Sequence, residues 1–190
     1  MTIPDRVRLP FAFDEGRLVA DLDRVVQGDW IDHFVKQNYD GVWDVLPLRG
    51  KAGATHPIMM IYSDPSATEF ADGPLLDETP YIRELLTAFR CPLRSVRLMR
   101  LTPGSVIKEH DDLDLAAELG MARIHVPITT NPQVEFMVNR MPVVMAPGEV
   151  WYLRLSDKHS VANRGTTDRV HLVIDAVVDD WLLDLLKQAA

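Results

Sequence analysis

The chain has 190 residues and a mass of 21.5 kDa, enough for one domain with a sizeable core. A formal net charge of −8, a pI near 5.2 and the lack of any Lys/Arg-rich block argue against a nucleic-acid partner. The single cysteine, Cys91, excludes an internal disulfide, and no apolar run approaches a membrane span. With no signal-peptide pattern at the start, a soluble cytoplasmic protein is expected.

Taken in order, residues 15–27 place Leu18, Val19, Leu22, Val25 and Val26 at helical spacing, with Asp14 as cap and Gly28 as stop. Residues 30–39 have no clear period, and His33 there reads as a surface or packing histidine. Residues 41–50 alternate Val42, Asp44 and Leu46 against Trp43 and Val45, which predicts a strand. The apolar run 58–62 predicts another. Residues 63–77, rich in Asp, Pro, Ser and Gly, predict a loop long enough to be a lid. Thr79 as N-cap and Pro80 at the first turn open a second helix with a stripe of Ile82, Leu85, Leu86 and Phe89; Cys91-Pro92 ends it.

From Leu93 the texture changes to short apolar segments: 96–101, 106–108, 121–129, 134–138, 143–145, 150–155, 160–162 and 169–178. Corners fall at Pro103-Gly104, Asn131-Pro132 and Pro147-Gly148. A helical turn is expected within 114–119 and a short amphipathic helix over 180–188. The rhythm predicts a mainly β protein, a double-stranded β-helix (cupin-like jelly roll). It would be one domain over 1–190, with a helical part at 1–92 and a jelly-roll core at 93–178.

His110 and Asp112, two apart on an extended backbone, point to one side and make two-thirds of a two-histidine, one-carboxylate metal site. Asp111 and Asp114 compete for the carboxylate role, but the i, i+2 relation favours Asp112. His159, at a strand start, can be brought opposite His110 by a jelly roll. Arg169, ten positions further on at the mouth of an apolar strand, needs an anionic partner, best a carboxylate met bidentately. Arg123 and His125 share a face of their strand, as do Arg169 and His171. Arg97 and Arg100 cannot both face one side.

This pattern of His110-x-Asp112, His159 and Arg169 resembles the 2-oxoglutarate-dependent dioxygenases. More narrowly it resembles the aspartyl/asparaginyl β-hydroxylase family, which includes free-proline hydroxylases. The run 101–110 into the first histidine, Arg123-Ile-His125, and Pro147-Gly-Glu149 carry the likeness, over roughly residues 41–175. The resemblance implies His110, Asp112 and His159 as Fe(II) ligands, with Arg169 on the distal carboxylate of 2-oxoglutarate. Arg123 and His125 would lie in the same co-substrate pocket. A serine of the peptide hydroxylases falls at or near Met99 here, and Asp112 is shared with the proline hydroxylases rather than with the vertebrate peptide enzymes. The implied reaction hydroxylates an amino acid, or an Asp-, Asn- or Pro-type residue of a peptide. O2 and 2-oxoglutarate would be consumed and succinate and CO2 released. Two other classes fit the same residues: a non-catalytic cupin-like metal or small-ligand module, and a Zn or Mn cupin isomerase or hydrolase that ignores Arg169.

Overall fold

The computed structural model describes residues 3–190. Among the described residues thirteen strands and five α-helices follow one another. In the first half lie β1 (Arg6–Ala12), α1 (Glu15–Val25), β2 (Ile31–Asp32), β3 (Tyr39–Asp40), β4 (Trp43–Lys51), α2 (Pro57–Ile61), β5 (Phe70–Asp72), α3 (Pro74–Asp77) and α4 (Pro80–Leu86). The second half holds β6 (Leu93–Leu101), β7 (Val106–His110), β8 (Met121–Thr129), β9 (Val134–Val138) and β10 (Met141–Pro142). Then come β11 (Glu149–Leu153), β12 (His159–Asn163), β13 (Arg169–Val177) and α5 (Asp180–Ala189).

All pairing is antiparallel. A major sheet runs β1-β11-β8-β13-β6-β4-β2 with β5 on β4, and a minor sheet runs β10-β9-β12-β7-β3. This is the expected jelly roll, mainly β with flanking helices. Its outer layer is formed by α1, α4 and α5, whose apolar stripes (Leu18, Leu22, Ile82, Leu85, Leu182, Leu186) cover one face of the major sheet. That face is apolar through its centre, with Val96 and Leu98 on β6, Ile124 and Val126 on β8, Leu172 and Ile174 on β13, and carries the Arg100–Asp44 ion pair toward one end. The face turned toward the minor sheet alternates with it and carries polar side chains among a smaller apolar cluster of Trp43, Met99, Leu101, Phe136 and Val173. The site lies there, between the sheets.

Several elements differ from expectation for local reasons. Residues 58–62 form the single helical turn α2 rather than a strand, because Pro57 occupies its first turn. The 63–77 stretch contains β5 and α3. Thr79 is the N-cap residue of α4, but its side chain makes no cap hydrogen bond: the hydroxyl donates back to the carbonyls of Leu75 and Leu76, and the buried Asp21 on α1 accepts from Ile82 N at 2.8 Å instead. Residues 143–145 are not a strand. β10 stops at Pro142 after a two-residue turn in which Asn139 and Arg140 both have positive φ, as a tight hairpin requires. β1, with Val7 and Leu9 inward and Pro10 exposed, is an edge strand, where a proline is tolerated. Among the described residues no helix is long and apolar enough to cross a membrane.

Candidate metal centre and adjoining cavities

His110 ends β7 and His159 begins β12, and the two are direct partners across that antiparallel pair. Their rings lie 4.3 Å apart between centroids. Each Nδ1 is within hydrogen-bond reach of a backbone carbonyl two residues earlier: His110 to Lys108 O at 2.7 Å, His159 to Asp157 O at 3.0 Å. A carbonyl can only accept, so each Nδ1 carries the proton and each Nε2 keeps its lone pair for a cation. Burial pushes the His159 pKa down and keeps that ring neutral, as a ligand must be.

Asp112 lies just beyond the end of β7, where its amide donates to Leu155 O at 2.8 Å. One carboxylate oxygen, Oδ1, stands 3.7 Å from His110 Nε2; the other accepts from Arg123 Nη1 at 2.8 Å. One ligand atom each from His110, Asp112 and His159 falls within 4.8 Å of the others. The competing carboxylates are elsewhere. Asp111 is exposed and paired with Lys158, and Asp114 is exposed in a left-handed turn with φ 66°. Two imidazoles and a carboxylate converging from one side suit a first-row metal such as Fe(II) and leave its remaining positions open.

On β13, Arg169 and His171 follow each other on the inner face, and both are almost fully buried. Arg169 has no carboxylate partner among the described residues. Its Nη2 donates to His171 Nδ1 at 2.8 Å, its Nε is unsatisfied, and the Phe136 ring lies 5.5 Å from its Cζ. Burial alone lowers its pKa to about 9. His125, on neighbouring β8, sits 3.4 Å from His171 between Nδ1 atoms, and its buried Nε2 has no partner. Burial, reinforced by the Arg169 charge, keeps both histidines neutral. A buried cation and an unpaired imidazole nitrogen facing one cavity form a site for an anion with a hydrogen-bond donor or acceptor nearby.

Arg123 lines the same cavity as His125 and Arg169, and its guanidinium is also ion-paired within the protein. Its three nitrogen donors all go to carboxylates, Nε and Nη2 to Asp175 at 2.7 and 3.0 Å, and Nη1 to Asp112. Arg97 also lies inside, on Asp175 and on Ile61 O, whereas Arg100 faces the other way onto Asp44 at 2.6 Å. The sequence reading missed Asp175 and Ser63, which donates to it at 2.9 Å. The polar alternation within β13 (Arg169, His171, Asp175) was the available signal.

Two cavities meet at Trp43, Met99, His110, Asp112 and Arg123. The inner one runs back to His125, Phe136 and Arg169. The outer one, about 320 Å³, opens past His33, Tyr62, Ser63 and Arg94. Of the two readings of His33, surface or packing, packing is borne out. The ring stacks on Trp43 at 3.5 Å between centroids, and burial lowers its pKa to about 3. The 63–77 stretch contributes Ser63 and Pro65 to the wall, and it is tied down by Ser63 on Asp175 and by Asp64 on Lys51 at 2.8 Å. Cys91 is buried, and burial raises its thiol to about 11, so it is inert.

Residues 15–178 match the family described as Aspartyl/Asparaginyl beta-hydroxylase. An L-proline cis-4-hydroxylase of Rhizobium meliloti is 28% identical over 165 residues, a match covering 86% of this chain and 57% of that protein. The chain thus spans little more than half the length of that relative. Among solved structures, an oxidoreductase of the 2OG-Fe(II) oxygenase family from Burkholderia pseudomallei superposes with a TM-score of 0.58 at 18% identity. That superposition covers 93% of this chain and 85% of the other. HygX of Streptomyces hygroscopicus, solved with nickel and 2-oxoglutarate bound, gives a TM-score of 0.57 at 14% identity, covering 92% and 83%. These likenesses concern the fold.

Proposed function

This chain belongs to the aspartyl/asparaginyl β-hydroxylase family, and from that premise we propose that it is an Fe(II)/2-oxoglutarate-dependent dioxygenase acting on an amino acid or an amino-acid residue of a peptide. The observation that carries the reading is the pairing of two features across one cavity. These are a converging His110–Asp112–His159 donor set, and a buried Arg169 whose only hydrogen-bond partner among the described residues is a neutral imidazole.

The residues fit the groups they would hold. His110 Nε2, Asp112 Oδ1 and His159 Nε2 would hold Fe(II). Arg169 would take the distal carboxylate of 2-oxoglutarate, with His125 Nε2 beside it. Fe(II) bound with 2-oxoglutarate and O2 supplies the oxidant that converts a substrate C–H to C–OH, with succinate and CO2 released. The chain's own part is positioning. Arg169 offers two N–H donors in a rigid fork that fixes the co-substrate's far end. Phe136, Leu155 and Val161 keep the inner cavity dry.

The outer cavity would hold the substrate between the aromatic wall of His33 and Trp43 and the three arginines Arg94, Arg97 and Arg123. Arg94 has no ion pair among the described residues, which favours a substrate bearing a carboxylate. A free amino acid, as in the name of the Rhizobium relative, and a small peptide both meet that requirement.

The test is anaerobic addition of Fe(II) and 2-oxoglutarate. A weak visible charge-transfer band is expected, followed in air by succinate formation that increases with the true substrate. Metal binding without the band and without succinate would instead identify a non-catalytic metal or ligand module.

A further inference from the structure

Asp175 has no solvent exposure, and four donors from three elements converge on its two oxygens. Arg123 of β8 gives Nε and Nη2, Arg97 of β6 gives Nη2, and Ser63 of the segment after α2 gives Oγ. The backbone is adapted to this. Pairing of β13 with β6 slips between Ile174 and Ala176, a bulge at Asp175, while pairing with β8 is regular from His171 onward and sets Asp175 directly opposite Arg123. Burial opposes the charge on Asp175, yet the Arg123 and Arg97 guanidinium groups overcome it and hold the carboxyl below its ordinary range. Buried ion networks of this kind seldom stabilise a fold more than apolar side chains of the same volume would. Stability is therefore a poor reason for this one.

A guanidinium is planar, so gripping one edge fixes where the third nitrogen points. Asp175 holds the Nε–Nη2 edge of Arg123, and Nη1 is left aimed at Asp112 Oδ2. With Oδ2 engaged, Oδ1 is the oxygen turned toward His110 Nε2. We propose that Asp175 is a positioning residue for the metal centre: through Arg123 it sets the rotation of the Asp112 carboxylate, so that one oxygen only is presented to the metal. Through Ser63 and Arg97, whose Nη1 donates to Ile61 O at 2.8 Å, the same carboxylate also fixes the 61–63 wall of the outer cavity. This role rests on His110, Asp112 and His159 being the metal ligands.

The test uses Co(II) titrated into the purified, metal-free protein and read by its visible d–d absorption, without turnover. Asp175→Asn is expected to weaken Co(II) binding by about 10- to 100-fold, the range for partners of metal ligands, and to change the band shape. Arg123→Lys, which keeps the charge but loses the fork, should do the same. Because Asp175 acts through Arg123, the double variant should bind no worse than Arg123→Lys alone. An unchanged Co(II) affinity and band in Asp175→Asn, with only the unfolding temperature lowered, overturns the proposal, and so do additive losses in the double variant. Should Asp175→Asn fail to fold, Ser63→Ala removes one hydrogen bond and no charge. It should then weaken binding by about two- to threefold with the same change in band shape, and wild-type behaviour there also overturns the role. If the wild-type protein itself takes up no Co(II), the metal-site reading has failed; if only the variants match wild type, that reading stands and this one falls.

Discussion

Arg169 should destabilise the protein that carries it. Burial lowers its guanidinium pKa from 12.5 to about 9, and no carboxylate among the described residues answers the charge. At about 1.36 kcal/mol per pKa unit, the upper bound on the cost of keeping Arg169 charged at neutral pH is about 5 kcal/mol. Exchanging buried charges for apolar groups of similar volume has gained about 1–4 kcal/mol. His171 Nδ1 loses its donor in the exchange, which takes back about 1 kcal/mol. Arg169→Met is therefore expected to stabilise the ligand-free protein by about 2 kcal/mol, or about 4–8 °C in Tm for a chain of this size. The sign with pH follows from a lowered pKa on a base. The cost is in full force below about 9 and fades as pH rises from there toward 12.5, so the gain should be flat from pH 6 to 8. Thermal unfolding with and without 2-oxoglutarate, in the presence of Mn(II), reads both halves. Wild type should gain about 2.7 kcal/mol at a hundredfold excess over Kd, and the variant should gain nothing. A variant that is less stable than wild type, or one that 2-oxoglutarate still stabilises, refutes the reasoning.

His159→Ala should remove the Co(II) absorption and succinate formation together while leaving the far-ultraviolet circular dichroism of the sheets intact; a retained Co(II) band would remove His159 from the ligand set. For His33, the folded pKa of about 3 lies below the unfolded value of 6.5, so the unfolded chain takes the proton first. Its stabilising contribution is complete above pH 6.5 and is lost as pH falls toward 3, about 2 kcal/mol of it by pH 5. Urea unfolding of wild type and His33→Phe at pH 7 and pH 5 checks this: the variant should lose less stability, and equal losses would contradict it. Arg94→Met should raise KM for a carboxylate-bearing substrate by about tenfold, the equivalent of about 1.4 kcal/mol, with kcat little changed. The same rise for an uncharged analogue would show that Arg94 does not meet the carboxylate.

The convergence of His110, Asp112 and His159 was legible in the sequence because it is carried by residue type: a histidine, a carboxylate two positions on and a second histidine at a strand start. The reason given for Asp112 holds only in part. β7 ends at His110, and it is the hydrogen bond from Asp112 N to Leu155 O that brings the carboxylate round. Arg169 was legible because a charge in the strand 169–177, otherwise almost wholly apolar, demands an explanation. The Arg123–Asp175 pair was not legible because the two are 52 positions apart, and only sheet register puts them opposite. His33 was left between surface and packing because the irregular segment around it has no period from which to read a face. α2 was misread because five apolar residues satisfy strand and helix alike, and Pro57 decides between them.

The arrangement of β13 shows why register, more than composition, makes this site. Arg169, His171, Val173 and Asp175 point inward, while Val170, Leu172, Ile174 and Ala176 point into the helix-covered core. At about 3.3 Å per residue, the same strand holds the buried Arg169 and the Asp175 that grips Arg123 about 20 Å apart. A slip of one residue would turn a cation, an imidazole and a carboxylate into an apolar core and four aliphatic side chains into the site. Both edges of β13 are occupied, by β8 and β6, and the neighbours use the same alternation. Arg123 and His125 face in from one side and Arg97 and Met99 from the other, with Ile124 and Leu98 facing out. The apolar face thus does more than stabilise the fold. By allowing only one register to bury it, it selects the one in which Arg169 meets the inner cavity and Asp175 meets Arg123.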